Sequence, residues 1–318
     1  MRSVCVRMLV GSVVLLAAAV AAPAAEAPQF SRTQDVIYGR KFGTALTMDV
    51  FTPKKEANGA GIVFAVSGGW FSAHEVVDSP FFQNSIPELS RRGYTVFAVV
   101  HGSQPKYTIP EILEDMHRAV RYIRYHAKDY KIDPDRIGIT GGSAGGHLSL
   151  MQGVAGNDGK PDAKDPVDRV SSQVQAVACF FPPTDFLNYG EKGKDAIGRG
   201  PLHDFKAPFD FHELDPKTHA SRPITDEKKI REIGRQISPI YHVKAGDPPT
   251  LIIHGDADKL VPIQQAESII AKLKDAGVPA KLVVKKGAGH GWPDFLQKDM
   301  PTIADWFDKY LQKSEKQK

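Results

Sequence analysis

Cysteine is nearly absent. The 318 residues contain two, Cys5 and Cys179, and Cys5 lies in a segment that the sequence marks for removal. One remaining thiol cannot form an internal disulfide, even in a compartment that would permit one. Cys179 sits in the apolar run 176–181 and reads as buried filler. A large excess of charge of one sign is also missing: 41 Lys and Arg against 37 Asp and Glu leave +4. Losing residues 1–24 removes Arg2, Arg7 and no acid, which lowers the balance to +2. That argues against nucleic acid or an anionic membrane surface as the main partner.

The one long apolar run, residues 9–20, is too short to span a bilayer comfortably. It follows Arg2 and Arg7 and precedes Ala22-Pro23-Ala24, the pattern of a signal peptide cut after Ala24. The expectation is a secreted or periplasmic protein with no stable membrane anchor after cleavage. Metal-ligand spacing is missing: His203, Asp204, His212 and His219 are scattered, so neither metal nor cofactor is expected. No Lys-Ser/Thr follows the glycines at 141–146, and they do not fit the dinucleotide fingerprint, so a phosphate cradle is not indicated. There is no internal repeat.

What is there is alternation. Apolar, β-branched runs at 34–38, 45–51, 62–66, 94–101, 136–140, 175–181, 250–254 and 280–285 predict strands. Between them, 81–92, 109–130, 226–235, 263–276 and 294–311 predict helices. Strands alternating with helices define an α/β domain with a mostly parallel sheet, one domain over 25–318. Residues 184–237 break the rhythm and read as an insertion over the carboxyl edge of the sheet, a cap or substrate-binding lid. Sites in such sheets form at that edge.

Four elements fall at strand ends. Gly141-Gly142-Ser143-Ala144-Gly145 fits G-x-S-x-G, a tight strand-to-helix turn that lifts Ser143 Oγ clear of the sheet. Gly68-Gly69, after strand 62–66, can present backbone amides with no side chain in the way, and the Ala144 amide points to the same place. Asp258 follows strand 250–254, and His290 lies in Gly289-His290-Gly291 after strand 280–285. In the roles this chemistry requires, Ser143 is the nucleophile, His290 the base and Asp258 the orienting acid, with Gly68, Gly69 and Ala144 as oxyanion donors. Asp256 competes with Asp258 and reads instead as a turn cap. Asp185, just past its strand, is a candidate supporting acid. His147 and His254 read as structural. His117 and His126 read as part of a wet helix face, and His74 and Glu75 as solvated or on a substrate rim.

The runs 135–147, 254–262 and 289–291 resemble the serine esterase and lipase branch of the α/β-hydrolase superfamily. They look most like secreted bacterial carboxylesterases of acetyl-esterase or feruloyl-esterase type. The resemblance covers about residues 33–311 and implies the α/β-hydrolase fold, with Ser143, Asp258 and His290 as its triad. The oxyanion run departs from the usual His-Gly-Gly, reading Val66-Ser67-Gly68-Gly69-Trp70. The resemblance implies hydrolysis of short acyl esters, acetyl or aromatic, on a small molecule or a plant polysaccharide. A prolyl-oligopeptidase-like peptidase and a catalytically silent binding protein of the same fold are the other readings.

Overall fold

The computed structural model describes residues 29–312. The signal-peptide reading over 1–24 lies outside them. Ten strands and six helices follow in order: β1 (Phe30–Lys41), β2 (Thr44–Pro53), β3 (Gly61–Val66), α1 (Pro80–Arg91), β4 (Thr95–Val100), α2 (Ile109–Tyr125), β5 (Ile137–Gly142), α3 (Ala144–Ala155), β6 (Ala176–Phe180), β7 (His212–Leu214), β8 (Ser221–Pro223), α4 (Glu227–Gln236), β9 (Thr250–Gly255), α5 (Gln264–Asp275), β10 (Ala280–Lys285) and α6 (Phe295–Leu311).

Eight strands form one sheet in the order β1-β2-β4-β3-β5-β6-β9-β10. Only β2 runs against the rest, because it pairs antiparallel with both β1 and β4. The strands β3, β5, β6 and β9 are buried along their whole length. A parallel sheet covered on both faces requires such continuous apolar runs, which is why they read so plainly as strands. Side chains then alternate between two cores. Val63, Ala65, Phe97 and Ile139 face α2, α3 and α5. Ile62, Phe64, Val96 and Ala98 face α1 and α6. This is the mostly parallel, two-face-covered α/β sheet that the alternation led us to expect.

The first hairpin is longer than predicted. β1 carries a bulge between Thr33 and Val36, with Asp35 at φ +56°, and the extra residue breaks the period-two pattern there. The helix predicted over 109–130 ends at Tyr125. Ala127 stays buried in the following turn, where Ile132 N–H bonds its carbonyl, so the apolar spacing outlives the helix.

The insertion at 184–237 packs against the main core through Phe186, Ile197, Leu202, Phe209 and Phe211. Phe209 and Phe186 pack against the Trp70 ring, with ring centroids 5.2 and 5.9 Å away. The short hairpin β7–β8 is fully exposed and has no sequence periodicity to announce it. Helix α4 starts as expected, with the Asp226 carboxylate accepting from Lys229 N–H at 2.8 Å.

His117 corrects its wet-face reading: it is buried, and its Nδ1 accepts from Ser172 Oγ and Gln152 Nε2 at 3.1 and 3.2 Å. His101 and His147 are buried as well, and burial lowers all three imidazoles to about 4. They are neutral in the folded protein near pH 7, and between about pH 4 and 6.5 they take up protons on unfolding. Their contribution is complete above about pH 6.5 and is lost as pH falls from there toward 4. Urea denaturation is therefore expected to show a clear loss of stability from pH 7.5 to pH 5.0. Equal midpoints at the two pH values would contradict it.

Candidate active site

The turn from β5 into α3 sets the first side chain. Ser143 holds φ +54° and ψ −118°, a region that non-glycine residues occupy only at a cost of about 1–3 kcal/mol. The surroundings enforce it. Ser143 N–H bonds Phe180 O at 3.0 Å, and His147 N–H returns to Ser143 O at 2.9 Å. A Cβ on Gly141 would lie 2.6 Å from the Gly145 backbone, so only glycine lets strand and helix meet this closely.

Asp258 and His290 arrive from the ends of β9 and β10, strands adjacent in the sheet. Asp258 Oδ1 accepts from Leu260 and Val261 N–H, each at 2.9 Å. Its Oδ2 lies 2.8 Å from His290 Nδ1. Across the ring, His290 Nε2 lies 2.9 Å from Ser143 Oγ. The carboxylate fixes the tautomer: Nδ1 donates to Asp258, so Nε2 accepts from the serine hydroxyl. Burial alone would raise the Asp258 pKa. Hydrogen bonds from His254, His290 and Val261 N–H outweigh it and hold the carboxyl well below the usual range. The Phe181 ring, at the end of β6, sits 4.6 Å from the imidazole ring and walls one side.

The structure thus brings together Ser143, His290 and Asp258. It sets Asp256 aside: its Oδ1 accepts from Gly287 N–H at 2.6 Å and ties two loops together. Asp185 does not join the group. Its Oδ1 accepts from Leu187 N–H, Asn188 N–H and Tyr241 Oη, closing a turn of the insertion. His147 accepts from Trp70 Nε1 at 3.2 Å and donates to Ile237 O at 2.6 Å. His254 is buried and bonds Val261 O at 2.8 Å, with Asp258 Oδ2 at 3.3 Å.

The oxyanion reading needs one correction. Gly68 N–H already bonds Phe71 O at 3.0 Å, closing a tight turn, so it is not free to meet a substrate. The amides of Gly69 and Ala144 have no partner among the described residues. Gly69 adopts φ +55°, and a Cβ there would sit 2.4 Å from the Phe205 ring. That contact, invisible in the sequence, seats the insertion directly on the loop. Sequence reasoning also missed the support under this loop, where Ser67 Oγ meets His101 Nε2 at 2.9 Å. His74 lies apart from the triad. Its Nδ1 is 3.5 Å from Asp35 and 3.6 Å from Asp49, whose other oxygen is paired with Arg32. These three are the only His, Cys, Asp or Glu side chains among the described residues grouped closely enough to hold a metal ion.

Fold and site together define an α/β-hydrolase-fold protein with a serine, histidine and aspartate in line at the carboxyl edge of its sheet. Residues 48–273 match the BD-FAE family, and the chain belongs to that family. Residues 231–318 also match the family described as TAP-like protein. The probable carboxylic ester hydrolase LipM of Mycobacterium tuberculosis is 29% identical over 250 residues, 77% of this chain and 52% of the relative. The esterase LipQ of the same organism is 27% identical over 252 residues, covering 78% and 54%. The chain spans about half the length of these curated relatives. A solved structure, a truncated form of a carbohydrate esterase from gut microbiota, is 26% identical with a TM-score of 0.70, over 89% of this chain and 97% of that one. An acetyl ester-xyloside bifunctional hydrolase from Caldicellulosiruptor lactoaceticus reaches a TM-score of 0.68 over 87% and 96%; at 22% identity that likeness speaks for the fold alone.

Proposed function

We propose that the chain is a serine carboxylesterase that hydrolyses short acyl esters, acetyl or aromatic, on an alcohol that can belong to a polysaccharide. The observation that carries the reading is the unbroken line from Asp258 Oδ2 through His290 to Ser143 Oγ, at 2.8 and 2.9 Å, with Ser143 on a strained elbow. In this mechanism His290 Nε2 takes the hydroxyl proton as Ser143 Oγ attacks the ester carbonyl. The amides of Gly69 and Ala144 receive the charge that grows on the carbonyl oxygen. The imidazolium, balanced by Asp258, protonates the leaving alkoxide. Water then repeats the sequence on the acyl-serine, returning the acid and free Ser143.

The preference for short acyl groups is supported by the aromatic walls at the centre, Phe181 against His290 and Phe205 against Gly69. The carbohydrate esterase with a TM-score of 0.70 supports an esterified saccharide as the alcohol side. Residues 1–24 support export. No helix among the described residues is long and apolar enough to cross a membrane.

The test is a substrate panel of acetyl, butyryl, octanoyl and feruloyl esters, acetylated xylan and a prolyl amide. Acetyl or feruloyl turnover is expected to exceed octanoyl at least tenfold in kcat/KM. A faster amide would favour the peptidase reading, and an octanoyl optimum would overturn the short-acyl one.

A further inference from the structure

Gly68 and Gly69 carry no side chains, so beyond the backbone turn that Gly68 closes with Phe71, the loop that presents the Gly69 amide is held by its neighbours. Both legs of that loop are tied to a single residue, His101, just past the end of the neighbouring strand β4. At the near leg, His101 Nε2 lies 2.9 Å from Ser67 Oγ. At the far leg, His101 N–H donates to Ser72 Oγ at 3.2 Å, and the Ser72 hydroxyl donates to Val66 O at 2.6 Å. The residues after His101 continue the cradle. Ser72 N–H bonds Ser103 Oγ at 2.9 Å, and Gln104 N–H bonds Trp70 O at 3.2 Å.

The proton positions follow from the partners. His101 Nδ1 lies 2.8 Å from the carbonyl oxygen of Gly102, which can only accept, so Nδ1 carries the hydrogen. Nε2 of the neutral ring therefore accepts, and the Ser67 hydroxyl donates to it. That hydroxyl is thereby committed to His101 and is not a third oxyanion donor. His101 itself is 3% exposed and does not reach the reaction centre. Its effect passes through Ser67 to the next two residues.

We propose that His101 is the positioning residue of the oxyanion loop, holding Ser67 so that the Gly69 amide faces the carbonyl oxygen attacked by Ser143. The inference rests on the serine-esterase reading above. It explains how an oxyanion loop that begins with serine keeps its aim: the imidazole comes from the end of β4, which pairs parallel with β3 and places Val100 opposite Val66. A shift of the amide by a few tenths of an ångström weakens a bond that matters most in the transition state, so the loss belongs in kcat and not in KM.

The experiment compares Ser67→Ala, His101→Leu, His101→Gln and the double variant Ser67→Ala/His101→Leu with the wild type. It reads kcat and KM per titrated active site, and amide hydrogen exchange of the peptide covering 67–72. The variants Ser67→Ala and His101→Leu are each expected to lose about tenfold or more in kcat, with KM within threefold. The double variant is expected to lose no more than the larger of these two losses, because the two side chains form one bond. A glutamine in place of His101 can present its Oε1 where Nε2 stood, so His101→Gln recovers most of the rate. A kcat within twofold of wild type in Ser67→Ala or His101→Leu, or losses that multiply in the double variant, overturns the proposal. If wild type lacks esterase activity, the esterase reading fails and the exchange data still decide the brace. Faster exchange at 67–72 in both Ser67→Ala and His101→Leu supports it, and wild-type exchange rates overturn it.

Discussion

Ser143→Ala is expected to lower ester turnover by about 10⁴-fold or more while leaving the fold intact. The methyl group fits where the hydroxymethyl stood, and the strained backbone is set by neighbours that the change does not touch: Phe180 O, the His147 amide, and the Gly141–Gly145 contact. What disappears is the nucleophile and the proton that His290 Nε2 would accept. The remaining amides of Gly69 and Ala144 can still polarise a carbonyl, which leaves a residual rate above that of water. The loss is read as kcat for acetyl and feruloyl esters, with fluorophosphonate labelling as an independent count of reactive serine. Labelling is expected to vanish in the variant. A variant that still turns over within tenfold of wild type, or still labels, would show that the reactive hydroxyl is elsewhere.

Much of this site was legible in the sequence because the sheet makes it so. Buried parallel strands must be apolar throughout, and a chain of such runs alternating with amphipathic helices leaves few places where Ser143, Asp258 and His290 could fall other than strand ends. Glycines around the elbow and around His290 report backbone demands that composition cannot hide. The misses have a common physical origin: they depend on contacts distant in sequence or on a turn's own closure. Gly68 reads as a donor until its amide is found bonded to Phe71. Nothing local to His101 in the sequence tells of its partner, because the β3–β4 register is what sets it against Ser67, 34 residues away. His117 occupies a helix face that looks wet, and the loop ending at Ser172 covers it. Phe205 lies in a stretch without periodicity, so nothing local tells that its ring rests on Gly69.

Asp258→Asn is expected to cost about 10⁴-fold in kcat, whereas Asp256→Asn should stay near the wild-type rate because its amide oxygen can keep the capping bond to Gly287 N–H. The two acids lie two residues apart, and their hydrogen bonds separate them. Asp258 Oδ1 accepts from two backbone amides, Leu260 and Val261. An asparagine keeps its carbonyl oxygen there, so its NH₂ must face the imidazole. Nδ1 then has a donor opposite it and becomes the acceptor, which moves the ring proton to Nε2. That nitrogen can no longer take the Ser143 proton, although every heavy atom stays near its place. At position 256 the carboxylate only accepts from Gly287 N–H, and an asparagine oxygen does the same. Acid stability adds a second readout. The Asp258 carboxyl is held below its usual range in the folded protein, so its contribution is present above about pH 4 and is lost as pH falls further. Asp258→Asn should flatten that part of the stability profile below about pH 4 and leave the histidine-dependent part above it unchanged. If Asp256→Asn proves the inactive variant and Asp258→Asn the active one, the third member of the catalytic line has been assigned to the wrong carboxylate.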